Sequence, residues 1–149
     1  MAINFEKFAA EGNQFMNELT HKLGRPEDKA QAGIVLRAVL HTLRDCISIP
    51  QSLNLLSQLP MFLKAIYVEH WKYHEKPHRY KNLENFAKAV EEEQYIHGET
   101  RFDWDMSTID IVRTVFDCLG KYISEGEFED IAAELPTGLK ELVQMKVKV

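Results

Sequence analysis

Cysteine, glycine and long apolar runs are all scarce in this chain of 149 residues. Two cysteines, Cys46 and Cys118, are too few for a disulfide scaffold. Both fall on helical stripes, which predicts buried packing and not reactive or paired thiols. The longest apolar stretch, Met61–Val68, is interrupted by Lys64 and falls far short of the ~20 residues of a membrane span. The opening MAINFEKFAAEG has no basic leader and no apolar run, so it does not read as a secretion signal. These features predict a cytoplasmic protein with reduced thiols and no membrane partner. The seven glycines form no phosphate-binding loop, and the chain has neither a nucleophile elbow nor a CxxC motif.

Concentrated positive charge is missing too. The net charge is −5, spread as 0 over residues 1–48, +3 over 49–81 and −8 over 82–149. A nucleic-acid binder would gather basic groups on one face. No nucleic-acid partner is therefore expected, although two helix-turn-helix-like corners invite one.

What the chain does have is a repeat. Arg37–Tyr67 returns 76 residues later as 113–143, without a gap. Arg37, Val39, Leu43, Ile47, Ser48, Leu59, Pro60, Leu63 and Lys64 meet identical residues in the second copy. Asn4-Phe-Glu-Lys-Phe-Ala9 also recurs as Asn82-Leu-Glu-Asn-Phe-Ala87, at an offset of 78. The shared residues are structural in type. Val35, Ala38, Val39, Thr42, Leu43 and Cys46 make one stripe of a 3.6-period helix, and Val112, Val115, Phe116, Leu119 and Ile123 make another.

Each stripe then meets a serine. Ser48-Ile-Pro-Gln51 and Ser124-Glu-Gly-Glu127 both read as capping boxes. The hydroxyl would accept from the N–H three residues on, while Gln51 or Glu127 reaches back to the serine N–H. The next helices stop at Leu59-Pro60 and Leu135-Pro136, because proline drives the residue before it out of the α region. Before the repeat, Ile3–Leu23 has the 3-4 spacing of an amphipathic helix closed by Gly24 and Pro26. Pro26-Glu-Asp is expected to open the second helix with acids in its first turn. A fourth helix is expected from Met61 toward Trp71.

The reading is an all-α protein of two tandem pseudo-symmetric helical repeats, about four helices each, packed as one compact body. Residues 1–67 form the first repeat, 68–81 the connector and 82–149 the second. A chain of this size buries roughly 68–70% of its unfolded surface, enough for a core without staples.

The residues Arg37-Ala-Val-Leu40, Leu43, Gln58-Leu-Pro60, Leu63, Tyr67 and Trp71, then Arg113, Val115, Leu119, Gly126-Glu127 and Glu134-Leu-Pro136, resemble a bacterial family catalogued as domain of unknown function 2267. The resemblance covers nearly the whole chain. It implies a small helical protein, often of two repeats, and carries over no activity, cofactor or catalytic residue.

Few residues carry chemistry. His70 and His74 are four apart, so they would share a face if the fourth helix ran that far, and Glu69, Glu75 or His78 would complete a metal site. The intervening Trp71, Lys72 and Tyr73 are not those of a metalloprotease motif, and a polar linker is the preferred reading. Asp103-Trp-Asp105-Met-Ser107 begins like a calcium loop, but Thr108 and Thr114 stand where that loop needs glycine and glutamate. Helix capping by Ser107 fits it better. Arg37 and Arg113 sit beside their apolar stripes and are expected to pair with carboxylates or carbonyls. The functional alternative sets both arginines, with Trp71, around an anionic ligand.

No catalytic residue, metal or cofactor is therefore expected. The leading function is a non-enzymatic interaction or structural module, monomeric or a small homo-oligomer, with a protein partner. The alternative is a small-ligand or metal-binding protein, conceivably an enzyme, with its site near the junction of the repeats. A pocket lined by convergent polar groups would favour that alternative.

Overall fold

Six helix starts are made by short polar side chains. A computed structural model describes residues 2–72, 76–96 and 105–135. In it the side-chain oxygens of Asn4, Asp28, Ser48, Asn82, Ser107 and Ser124 each accept the backbone N–H three residues on, at 2.8–3.3 Å. Each such bond satisfies one of the donors that the first turn of a helix leaves unpaired. The helices are α1 (Phe5–Lys22), α2 (Lys29–Cys46), α3 (Ile49–Gln58), α4 (Met61–Val68), α5 (Leu83–Ile96), α6 (Thr108–Leu119) and α7 (Glu125–Glu134). The described residues are all-helical and contain no strand. Pro136 with the segment after it, His74 and residues 97–104 lie outside the described residues.

Three boundaries differ from expectation. α1 starts at Phe5 and not Ile3, because Asn4 is its cap. α2 starts at Lys29, because Asp28 is its cap and not a first-turn acid. α4 ends at Val68, short of Trp71. His70 adopts a left-handed φ of 53°, which no α-helix can continue through. The Glu69 and Trp71 N–H groups close the turn onto the Ile66 and Val68 carbonyls.

α2 is the centre of the molecule. It packs on α1, α4, α5 and α6, with α5 its most extensive neighbour. Every residue from Ala38 to Arg44 is buried, so the helix has no solvent face over that span. One hydrophobic cluster runs through all seven helices, from Phe15 and Leu19 of α1 to Phe128 and Ile131 of α7. Gly12 lets α1 approach α4: a Cβ there would stand 3.4 Å from the Phe62 ring. On the surface, Lys22 pairs with Glu18 and Asp117, and Lys121 with Glu18, tying α1 to the end of α6. Such exposed pairs contribute little individually.

α3 and α7 meet through polar groups. The Ser48 N–H and hydroxyl donate to the Glu134 carboxylate at 2.7 and 3.1 Å. Reciprocally, the Ser124 N–H donates to Gln58 Oε1 at 2.8 Å, and Gln58 Nε2 donates to the Ser124 hydroxyl at 3.3 Å. Gln51 Nε2 donates to Glu127 Oε1 between them. The capping boxes are thus only half local. Each serine caps its own helix, but the acceptor for its N–H comes from the far end of the opposite helix. Gln51 and Glu127 turn away from their serines and bond each other instead.

Candidate functional site

α4 ends at the exposed Val68 with the carbonyls of Ile66, Tyr67 and Glu69 facing α2, and the last carbonyls of a helix need donors from outside it. α2 supplies them. Arg44 Nη1 donates to the Tyr67 carbonyl at 2.5 Å and the Glu69 carbonyl at 2.7 Å. His41 Nε2 lies 2.8 Å from the Ile66 carbonyl. A carbonyl only accepts, so this nitrogen carries the proton. Below them the Tyr67 hydroxyl pairs with the Ser52 hydroxyl at 2.7 Å, and burial pushes the phenol's pKa upward.

Arg44 is only 7% exposed. Burial lowers its pKa, yet a guanidinium stays protonated in proteins. Its charge is offset by the neighbouring carboxylates of Asp45, Glu93 and Glu69. Asp45 Oδ1 is 3.8 Å from Nε, an ion-pair distance but too long for a hydrogen bond, and Nε has no hydrogen-bond partner. The Trp71 ring covers the guanidinium, its centroid 5.9 Å from Cζ, and stands edge-on to Tyr67 at 5.6 Å.

Over this buried arginine lies a cleft of about 270 Å³. α2 contributes His41, Arg44 and Asp45 to it, the connector His70 and Lys72, and α5 Glu93 and Ile96. Both halves of the chain therefore line it. The adjoining Gln94 is buried with neither amide atom hydrogen-bonded. A second hollow, of about 400 Å³, lies against Glu84, Lys88, Glu91 and Ser107 between α5 and α6. It is more open than the first, and no charged residue lining it is buried.

The residues singled out from sequence scatter around the cleft. Arg37 Nε straddles the Glu69 carboxylate at 3.1 and 3.3 Å, and so joins Arg44 through Glu69. Arg113 is exposed and pairs with Asp110 of its own helix at 3.4 Å. Among the described residues the two arginines share no partner. Trp71 is half-buried against the core and is brought to Arg44. His70 lines the cleft. His78 donates its backbone N–H to the Asp45 carbonyl at 2.7 Å and stacks on Tyr80. His74 lies outside the described residues. Among the described residues no three His, Cys, Asp or Glu side chains are grouped to hold a metal.

His41, Arg44, Asp45 and Glu93 were not foreseen. The available signal was the pattern of α2, where Leu36 and Leu40 carry apolar character outside the Val35–Cys46 stripe. A helix apolar all round is buried all round, so polar residues within it must find partners inside.

A family model described as an uncharacterized conserved protein (DUF2267) matches residues 12–142. No curated protein matches the chain.

Proposed function

The chain belongs to that uncharacterised family, and from this premise we propose that it binds a small polar ligand in the cleft between α2, the connector and α5. One observation carries the reading: a nine-tenths-buried arginine sits at a cleft whose other polar side chains come from three separate elements. Small-ligand sites have this form, a concave surface with a few convergent polar groups placed at the meeting of structural units. Binding there would cross-link the halves through the connector. Reciprocal bonds, Ser48 to Glu134 and Gln58 to Ser124, swap positions that are 76 apart in the sequence and support reading those halves as copies related by an approximate two-fold axis. Two free, buried cysteines support a reducing, cytoplasmic setting. No helix among the described residues is long and apolar enough to cross a membrane.

The test is a thermal-shift screen of small polar molecules against the wild type and Ile96→Trp. Ile96 is 72% exposed at the cleft mouth, so tryptophan would fill the cleft without disturbing the core. Compounds that raise the melting temperature of the wild type but not of the variant are expected. Shifts equal in both proteins would overturn the reading.

A non-enzymatic interaction module is the second reading. It is favoured by large apolar side chains left in solvent, Ile3 and Phe5 near the start of α1 and Tyr95 and Ile96 at the end of α5. Concentration-dependent sedimentation would reveal self-association. The acidic balance supports the absence of a nucleic-acid partner, and retention of DNA or RNA on filters at low salt would contradict it.

A further inference from the structure

We propose that the cleft takes a zwitterion of amino-acid or dipeptide size, carboxylate toward Arg44 and Lys72 and ammonium toward Asp45 and Glu93. The inference rests on the reading of the cleft as a ligand site. Its fixed charges are two cations, Arg44 and Lys72, and two anions, Asp45 and Glu93. The cleft as a whole is balanced, with both signs on its walls. A simple anion or cation would bring in a charge that the site does not offset, and burying an uncompensated charge is costly. A ligand with separated opposite charges keeps the balance and meets both signs. Arg44 is the anchor for the carboxylate. Its Nη1 is held by two backbone carbonyls, which fixes the guanidinium at the cleft wall, while Nε is enclosed beside Asp45. Lys72 is exposed at the rim and adds a second cation. The carboxylates keep the partners they have, because an ionised carboxylate accepts about four hydrogen bonds. The volume of about 270 Å³ lies just under the usual range for ligand pockets, which sets the size at an amino acid or a dipeptide.

The experiment titrates the full chain with matched probes at constant ionic strength. Alanine and alanylalanine are zwitterions of two lengths, and their relative affinities separate a free amino acid from a dipeptide. N-acetyl-alanylalanine keeps only the carboxylate, and alanylalanine amide only the ammonium. Calorimetry gives affinity, and the Arg44 Nε–H resonance reports occupancy of the cleft. At least one zwitterion is expected to bind and shift that resonance. Removal of either charge should weaken binding about tenfold or more, as for a lost charge-assisted hydrogen bond. Lys72→Glu, at an exposed position outside the core, should weaken the zwitterion while leaving the melting temperature unchanged. If a singly charged probe binds as well as the zwitterion, the ligand class is wrong and the cleft remains a site. If no probe moves the resonance while the Ile96-sensitive compounds of the thermal screen do, the class is again wrong. If neither set does, the reading of the cleft fails with it.

Discussion

The Gln51 amide donates to the Glu127 carboxylate at 2.5 Å, joining two residues 76 apart that occupy the same place in the repeated sequence. Glu127 is 6% exposed and burial pushes its pKa upward, with the Gln51 bond opposing that shift. Gln51 is 8% exposed. Asp130 and Glu134 add to the upward push. The contact between α3 and α7 thus keeps a carboxylate where a neutral amide would be at least as comfortable.

Glu127→Gln should therefore leave the protein as stable as the wild type or more so at pH 7. The substitution retains the oxygen that accepts from Gln51 and removes the buried charge. The pH dependence has a definite sign. Because the folded-state pKa is raised, the protonated form favours folding. That contribution is fully present below the ordinary glutamate value of 4.5 and is lost as pH rises through the folded value. Urea denaturation across that range should show the loss in the wild type and not in Glu127→Gln. A variant less stable than the wild type at neutral pH would contradict the prediction.

Glu134→Ala should be costly for a side chain so far from the centre of the core. It removes the acceptor of the Ser48 N–H and hydroxyl, across the α3–α7 contact. Loss of charge-assisted bonds of this kind costs about 1.5–3 kcal/mol. Glu129→Ala, at an exposed position on the same helix, serves as the control. Equal denaturation midpoints for the two variants would show that this cap between α7 and the start of α3 contributes nothing.

Ser48→Ala and Ser124→Ala should each cost about 0.5–2 kcal/mol through loss of the local cap. The backbone N–H groups of both positions keep their acceptors, Glu134 and Gln58. Combined with Glu134→Ala, Ser48→Ala should be non-additive, since the two side chains touch. A double-mutant cycle in urea checks this.

Trp71→Ala should lower the melting temperature far more than His78→Ala. Trp71 covers Arg44 and packs on Tyr67, whereas the His78 contact with Asp45 uses its backbone N–H, which alanine keeps. Truncation of a large aromatic in a core costs about 3–5 kcal/mol, and the half-buried position of Trp71 puts it at the low end. Equal melting temperatures would show the connector to be a plain linker.

Both thiols should be silent in the native protein. Burial pushes Cys46 up to about 12 and Cys118 up to about 11. At pH 8 a disulfide reagent should react with them only at the rate of unfolding, and fully in denaturant. Rapid labelling of either in native protein would contradict the packing around α2.

Much of this protein was set by local chemistry and so was readable in the chain. Caps at Ser48, Ser107 and Ser124, the stop at Leu59-Pro60 and the apolar stripes of α2 and α6 each depend on residues within one or two turns. The helical class follows from them, because such signals act through the nearest backbone groups whatever the rest of the chain does. The tertiary structure decided which partner a polar side chain takes. Gln51 and Glu127 have the spacing to bond their own serines, yet each found a nearer partner across the α3–α7 contact. Arg44 differs little by sequence from any helix-surface arginine. Only the burial of α2 on every side and the ending of α4 beside it made Arg44 a donor to two stranded carbonyls and a wall of the cleft. Hydrogen-bond strength depends on distance and on the exclusion of water, and both are properties of the packed molecule.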